Sequence, residues 1–236
     1  MSTVELFRED GYLKDCQATV TAVTEESIVV DQTVFYPMGG GQPGDQGELR
    51  CADGRVIRIV DTRKGREDDQ HHHVVEEGAT LPAVGETVQL AIDWERRHRL
   101  MRMHSCMHML CSLVDAGVTG GSIAEDRGRL DFDMQDTLDK EHLTVELNRL
   151  VAENHPMSLS WITDEEMDRQ PDLVRTMSVQ PPRGSGKVRL VNFQGVDLQP
   201  CGGTHVSASG EIGRVRVQKI EKKGKHNRRV IVVFDD

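Results

Sequence analysis

Short runs of alternating or β-branched apolar residues recur through the first 92 residues of the chain. Clusters of Gly, Pro and Asp separate these runs, which is typical of short strands joined by tight turns. Strands spaced in this way predict a small β-barrel or a β-sandwich. The predicted strands are residues 17–22, 27–30, 33–36, 55–61 and 86–91.

The hydrophobic pattern changes at Asp93. From there, residues 94–116 carry apolar side chains at the alternating three- and four-residue spacing of a helix. Asp93 is a suitable N-cap for this helix, and Gly117 is a suitable stop. The apolar stripe that we expect to be buried consists of Leu100, Met103, Met107, Leu110 and Val114.

Helices and strands are mixed in the rest of the chain. A second helix is predicted over residues 139–154, and a third begins at Thr163, where the run Thr-Asp-Glu-Glu fits a capping box. A strand is predicted at residues 187–193. Two more, at 213–219 and 229–234, are expected to form a hairpin across a basic loop.

These patterns predict an α+β fold with a boundary after residue 92. Residues 1–92 form the β-domain, and residues 93–236 form the domain that mixes helices with strands. No apolar stretch approaches the roughly 20 residues that cross a bilayer, and the acidic N-terminus does not resemble a secretory signal. We therefore expect a cytoplasmic protein that does not engage a membrane.

Four residues of the second domain have the chemistry of a metal site. His104 and His108 are four residues apart, which places both on one face of the predicted helix. Cys201 and His205 flank Gly202 and Gly203 in the run Cys-Gly-Gly-Thr-His. Two imidazoles from a helix together with a thiolate and an imidazole from a tight loop make a tetrahedral ligand set suited to zinc.

The histidines have two other interpretations: a zinc protease motif at His104, and metal binding by a separate run of three histidines. Ser105 follows His104 where a zinc protease of the His-Glu-x-x-His type has its glutamate base, so that class is excluded. The run His71-His72-His73 is a competing source of ligands, although we interpret it mainly as strand and loop.

The run Tyr36–Gly47 is unusually rich in glycine. It lacks the Lys-Ser/Thr of a phosphate-binding P-loop and does not match the Gly-x-Gly-x-x-Gly dinucleotide pattern. One interpretation is an elaborate turn; the other is a backbone surface that faces a substrate. In the second case we expect Gly39, Gly40 and Gly41 to contact the substrate, and Thr33 or Gln42 to hydrogen-bond a small polar group.

The formal net charge of −10 argues against a general nucleic-acid binder, but two local basic patches exist. Solvated faces are the ordinary interpretation of such patches. Because both lie near the candidate metal ligands in sequence, we expect an anionic substrate. The candidate nucleic-acid contacts are Arg97, Arg99, Lys222, Lys223 and Arg228.

Three segments in this order closely resemble the alanyl-tRNA editing proteins of the AlaX type, which are related to the editing domain of alanyl-tRNA synthetase. They are Thr33–Asp45, His104–His108 and Val196–Val206. The resemblance extends over nearly the whole chain and includes Gly121-Ser122 and the run Arg129–Phe132. Length and the N-terminal β-domain are similar to those of the medium-sized members.

The resemblance implies a small β-barrel followed by an α/β editing domain. It implies a zinc ion held by His104, His108, Cys201 and His205, and hydrolysis of the ester between serine or glycine and tRNA(Ala). Gly202 and Gly203 join the expected substrate contacts, and Thr33 and Gln42 become the expected catalytic residues. The chain departs from the family pattern at Met38, Cys106 and Met107, which leaves the four ligands intact.

Two functions of other classes fit the same residues. One is a non-catalytic RNA-binding module that contains structural zinc, because four protein ligands also close a structural tetrahedron. The other is a zinc hydrolase for a different small ester that requires no tRNA.

Overall fold

The computed structural model describes residues 2–65, 70–177 and 186–235, which form two compact units. The barrel unit consists of residues 2–39 and 43–98. The C-terminal unit consists of residues 99–235 and, from much earlier in the chain, residues 40–42. The mixed α+β class predicted from the sequence is confirmed.

A closed six-stranded antiparallel barrel dominates the barrel unit. Its inward residues alternate along each strand and include Ile28, Leu49, Ile59 and Leu90, all fully buried. The barrel is therefore confirmed over the sandwich. Its strands are, in the order around the barrel, β2 (Asp15–Val23), β3 (Ser27–Val30), β7 (His71–Val75), β6 (Val56–Lys64), β5 (Gly47–Cys51) and β8 (Thr87–Ile92). Outside it, β1 (Val4–Glu5) pairs in parallel with β4 (Gln32–Thr33).

The predicted strand at 33–36 is wrong beyond Thr33. The Tyr36 N–H donates to the carboxylate of Asp45 at 2.6 Å, and the Asp45 N–H donates to the Tyr36 carbonyl at 2.9 Å. These two hydrogen bonds close the base of a loop that contains the glycine run. They use the backbone groups of Tyr36 that a strand would offer to a neighbouring strand, so the strand does not continue.

The first helix, α1 (Trp94–Leu113), begins as the sequence predicts. The Arg96 N–H donates to the Asp93 side chain at 3.1 Å, which is an N-cap hydrogen bond. The helix ends at Leu113, before Gly117. All five residues of the predicted apolar stripe are buried.

The C-terminal unit contains one four-stranded and one three-stranded antiparallel sheet. The first has the order β14 (Val215–Gly224), β15 (Asn227–Phe234), β10 (Arg127–Asp133) and β9 (Val118–Ile123), so the predicted hairpin is confirmed. The second has the order β11 (Met157–Thr163), β12 (Lys187–Phe193) and β13 (Asp197–Pro200).

Two further helices belong to this unit. Helix α2 (Lys140–Glu153) begins at the N-cap Asp139 and buries Leu143, Leu147 and Leu150. Helix α3 (Asp164–Asp168) is only five residues long and starts with the predicted capping box between Thr163 and Glu166. No helix in the described ranges is long and apolar enough to cross a membrane.

Candidate metal centre

Helix α1 and the loop after β13 bring the four predicted ligands together within the C-terminal unit. His104 and His108 lie one turn apart on α1, with ring centroids 5.5 Å apart. The ring of His205 lies between them, at 4.2 Å and 4.6 Å. With Cys201, their four ligand atoms all lie within 4.8 Å of one another. The local spacing used in the sequence analysis therefore does produce a common centre.

The distances fit a zinc ion. Two ligands bound tetrahedrally at roughly 2.0–2.3 Å from zinc stand roughly 3.3–3.8 Å apart. The Cys201 Sγ atom lies 3.5 Å from Nε2 of His104 and 3.3 Å from Nε2 of His205. Three imidazole nitrogens and one thiolate are also the borderline-soft donors that zinc prefers.

Each of the three histidines has a polar neighbour at its other ring nitrogen. Nδ1 of His104 lies 2.8 Å from Oε1 of Gln42, and Nδ1 of His108 lies 2.7 Å from Oδ2 of Asp197. Nδ1 of His205 lies 3.5 Å from the Ser105 hydroxyl. Such partners fix the tautomer and the ring plane, so that Nε2 is presented to a metal.

Charge within the cluster also suits a cation. Burial opposes ionisation of the Cys201 thiol, but the imidazoles of His104 and His205 hold its pKa well below its usual range. Burial likewise opposes the charged form of His108, yet the hydrogen bond to Asp197 raises its pKa to about 10. Both shifts favour a thiolate at Cys201 next to a carboxylate-bound histidine, and a metal cation would join this cluster by displacing a proton.

The loop that carries Cys201 and His205 is held in place by hydrogen bonds to its backbone carbonyls. A glycine in the loop allows it to lie close to α1. Nη1 of Arg189, a buried residue of β12, donates to the carbonyls of Cys201 at 2.9 Å and Gly203 at 2.8 Å. A Cβ on Gly203 would overlap the ring of His104 and stand 2.9 Å from Gln42 Oε1. Gly203 therefore permits the approach of the loop to α1.

Gln42 lies beside the metal centre and contacts it through its side-chain amide. It is 1% exposed, and its amide joins two residues of the centre. Its Oε1 accepts from His104 and from the Thr204 N–H at 3.2 Å, while its Nε2 donates to the Thr204 hydroxyl at 2.9 Å. These contacts hold the ring of His104, and the expected contact of Gln42 with a substrate hydroxyl stays a prediction.

Thr33 is fully buried in the barrel unit, where its hydroxyl lies 2.8 Å from Nε2 of His73 and accepts from the Phe35 N–H. Its role in reading a substrate stays a prediction. The competing His71 contacts Glu5 at 3.0 Å, and the four-residue metal group contains none of the three adjacent histidines.

The glycines predicted to contact substrate occupy different surroundings. The Gly39 carbonyl accepts from the Tyr36 hydroxyl at 2.8 Å. Gly40 and Gly41 have φ of 56° and 84°, a region that favours glycine. Substrate contact by Gly39, Gly40, Gly41, Gly202 and Gly203 stays a prediction.

Two of the expected nucleic-acid contacts have buried guanidinium groups. Arg97 is 0% exposed; its Nε lies 2.9 Å from Oδ2 of Asp45, and its other nitrogens contact Asp45 and the carbonyls of Gly11 and Val34. Arg228 is 5% exposed and donates to backbone carbonyls, including that of Asp136. Both guanidinium groups are directed to partners within the protein, and nucleic-acid contact by Arg97 and Arg228 stays a prediction.

The remaining three lie nearer the surface. Nε of Arg99 donates to the Glu125 carbonyl at 3.0 Å, Lys222 is exposed, and Lys223 pairs with Glu221 at 2.9 Å. Nucleic-acid contact by Arg99, Lys222 and Lys223 stays a prediction.

The sequence analysis missed the residues that support the ligands, above all Asp197, Gln199 and Arg189. Nε2 of Gln199 donates to Oδ2 of Asp197 at 2.9 Å, so both side chains of β13 point to His108. The available signal was their i, i+2 spacing just before Cys201, which places them on one face of a strand.

Two family models match the chain. Residues 188–231 match the threonyl and alanyl tRNA synthetase second additional domain, and residues 4–96 match the class II (A) tRNA synthetases. The first match contains Cys201 and His205.

Curated proteins are similar over nearly the whole chain. The alanyl-tRNA editing protein AlaX-M of Methanosarcina mazei is 36% identical, across 97% of this chain and 95% of the relative. AlaX-M of Pyrococcus horikoshii is 30% identical, across 97% and 96%. An alanine–tRNA ligase of Saccharolobus islandicus is 29% identical across 93% of this chain, which corresponds to 25% of that much longer protein.

Proposed function

The chain belongs to the family of alanyl-tRNA editing proteins, and on this premise we propose that it is a zinc-dependent aminoacyl-tRNA deacylase. Its proposed substrates are tRNA(Ala) molecules mischarged with serine and with glycine. The observation that carries the proposal is the group of His104, His108, Cys201 and His205, in which the three histidines are buried, Cys201 is half-buried, and each histidine has a polar partner within the protein. A group supported in this way is organised before a metal arrives.

Within this proposal, His104, His108 and His205 bind zinc through Nε2, and Cys201 binds it through Sγ. When bound, zinc supplies a Lewis acid for the ester. Gln42 and Asp197 accept the Nδ1 protons of His104 and His108 and so keep both rings oriented. Arg189 and Gly203 keep the Cys201 loop against α1.

An editing site of this kind is needed because a pocket built for alanine discriminates poorly against small analogues. One methylene more or less changes binding by only about 1–3 kcal/mol. A second site must therefore test another property of the mischarged ester before the amino acid reaches a protein chain. We propose that this chain provides such a test in trans.

The test is the release of labelled amino acid from seryl-, glycyl- and alanyl-tRNA(Ala) by the purified protein. We expect release of serine and glycine with little release of alanine, and loss of release with a chelator or in His104→Ala. His142→Ala is the matched control, because His142 is an exposed histidine of α2. It should retain wild-type release.

The rival functions give other results in the same assay. A non-catalytic module with structural zinc binds the mischarged tRNA without turnover, and a general zinc hydrolase cleaves small esters with no need for tRNA. Undiminished deacylation by a folded His104→Ala protein would argue against the proposed use of the metal.

A further inference from the structure

One face of the four-stranded sheet carries charged residues in neighbouring cross-strand rows. We call it the outer face. The strand register places Ser122, Arg129, Ile231 and Lys219 in one cross-strand row. The flanking rows are Gly120, Asp131, Arg229 and Glu221, and Arg127, Val233 and Arg216. Residues of the opposite face, such as Leu130, Phe132, Val230 and Val232, are buried. The outer face is therefore the polar side of the sheet.

The outer face has the opposite charge balance to the chain. These three rows contain five basic residues and two carboxylates, whereas the whole chain has a net charge of −10. Three of the basic residues have carboxylate partners: Arg229 pairs with Asp131, Lys219 with Glu221, and Arg216 with Asp235. The positive charge that remains is contributed by Arg127 and Arg129.

Arg127 and Arg129 are the residues of this face whose charge is not balanced. Neither forms an ion pair within residues 2–65, 70–177 and 186–235. Nε of Arg129 is buried and lacks a hydrogen-bond partner in that part of the chain. A buried guanidinium nitrogen without an acceptor costs free energy, and an anionic oxygen would supply the missing acceptor.

This face continues to the metal centre through the glycine loop. The Ile123 N–H of β9 donates to the Gly41 carbonyl at 2.8 Å, and a Cβ on Gly41 would stand 3.1 Å from the Gly121 carbonyl oxygen. The next residue, Gln42, contacts His104. Because neighbouring strands are spaced by about 4.8 Å, Arg129 lies about two strand spacings, or roughly 10 Å, from Gly41.

We propose that Arg127 and Arg129 bind backbone phosphates of the acceptor strand of the tRNA whose aminoacyl end lies at the metal centre. This inference rests on the proposed function. Phosphate oxygens would supply an acceptor for the buried Nε of Arg129 and a counter-charge for both guanidiniums, and arginine matches phosphate in charge and in bidentate geometry. Contacts of this kind position the RNA without reading its bases. They explain how an acidic chain binds a polyanion, because the basic surface is local.

The test compares binding of uncharged tRNA(Ala) by the wild type and by Arg127→Gln/Arg129→Gln, measured by fluorescence anisotropy over a range of salt concentrations. Loss of two phosphate contacts should lower the slope of log affinity against log salt by about 1.4–1.8. We expect affinity to fall by at least tenfold, since each contact is a charge-assisted hydrogen bond. Arg169→Gln, which removes one exposed arginine of the same unit, is the charge-matched control for each single arginine variant.

Single variants guard against a folding defect in the double variant. Arg127 is exposed, so Arg127→Gln should fold as the wild type. Loss of its one phosphate contact should lower the slope of log affinity against log salt by about 0.7–0.9. Arg129→Lys keeps the charge and should retain part of the lost affinity. Lys222→Gln/Lys223→Gln tests whether the hairpin turn binds the RNA in place of the outer face. If the outer face binds it, this variant should keep the wild-type slope.

A wild-type slope in Arg127→Gln/Arg129→Gln, or an equal loss in Arg169→Gln, would overturn the inference. Deacylation separates this inference from the proposed function. If the wild type binds tRNA through these arginines but releases no amino acid, the proposed function fails and the surface stands. If it releases serine equally well in the double variant, with unchanged KM, the surface fails.

Discussion

Oε1 of Gln42 lies 2.8 Å from Nδ1 of His104, although 62 residues separate the two in the chain. The same oxygen accepts from the Thr204 N–H in the loop between Cys201 and His205. One amide therefore joins the helix that carries two ligands to the loop that carries the other two. We therefore infer that Gln42 contributes to metal affinity.

We expect Gln42→Ala to weaken zinc binding about 10–100-fold, because His104 loses the acceptor that orients its ring. Gln42→Glu keeps an acceptor oxygen and should retain most of the affinity. Competition with a chromophoric chelator measures the dissociation constant, and the absorption spectrum of the Co²⁺ form reports the ligand geometry. Equal affinities for Gln42→Ala and the wild type would remove the proposed role.

Asp197 should have a comparable effect through His108. In Asp197→Ala the ring loses its carboxylate partner, and we expect zinc affinity to fall about 10–100-fold. Asp197→Asn keeps a neutral acceptor and should lie between this variant and the wild type. Asp133→Asn, at an exposed carboxylate of β10, is the control in the same titration. A loss of similar size in that control would show that the effect is not specific to His108.

Gly203→Ala should abolish stoichiometric metal binding while leaving the barrel unit folded. The added methyl group would overlap the His104 ring, and the loop would have to move away from α1 to admit it. Gly120→Ala is the control, because its Cβ would stand 3.4 Å from the Asp131 carboxylate, an ordinary contact. Zinc content after gel filtration separates the two. Full zinc occupancy in Gly203→Ala would show that the loop tolerates the methyl group.

The barrel unit should lose stability as the pH falls through the range in which unfolded histidine becomes protonated. Burial lowers the pKa of His73 from 6.5 to about 4. Between these values the unfolded chain binds a proton that the folded barrel does not, so unfolding becomes easier as pH falls from about 6.5 to about 4. The shift corresponds to roughly 3 kcal/mol by pH 4.

Urea denaturation at several pH values tests this linkage. His73→Gln removes the titrating ring and should show a flatter dependence of the unfolding free energy on pH, although it is less stable near pH 7. Half-buried His98 is not a suitable control because it stacks on Trp94, so His142→Ala serves again. Identical pH dependences for the wild type and His73→Gln would contradict the assignment.

Local patterns predicted α1, α2 and four of the six barrel strands, namely β2, β3, β6 and β8, because burial on one side of a strand or helix leaves a period that a single sequence displays. They did not predict β9, whose run Val-Thr-Gly-Gly-Ser-Ile has two glycines where a strand usually has side chains to pack. The false strand at 33–36 has a related cause. Its apolar residues have strand character, but Asp45 captures the Tyr36 N–H from outside the local window.

The candidate site divides in the same way. The four ligands were predictable because two short spacings, His104 to His108 and Cys201 to His205, each bring a pair together. The supporting contacts join residues that are distant in the chain, such as Asp197 and His108, 89 residues apart. The burial of Arg97 was unpredictable for the same reason, because its partner Asp45 lies 52 residues away in the chain.

The assignment of Gly40–Gln42 to the C-terminal unit limits how the protein can be divided. A fragment that begins at the boundary suggested by the hydrophobic pattern, residues 93–236, keeps all four ligands. It lacks Gln42, whose side-chain amide joins His104 to the loop that carries Cys201 and His205. Isolated in that way, the C-terminal fragment should bind metal loosely and in more than one geometry. A gene fusion or a split-protein complementation that restores the tripeptide should recover a single, tightly held ion.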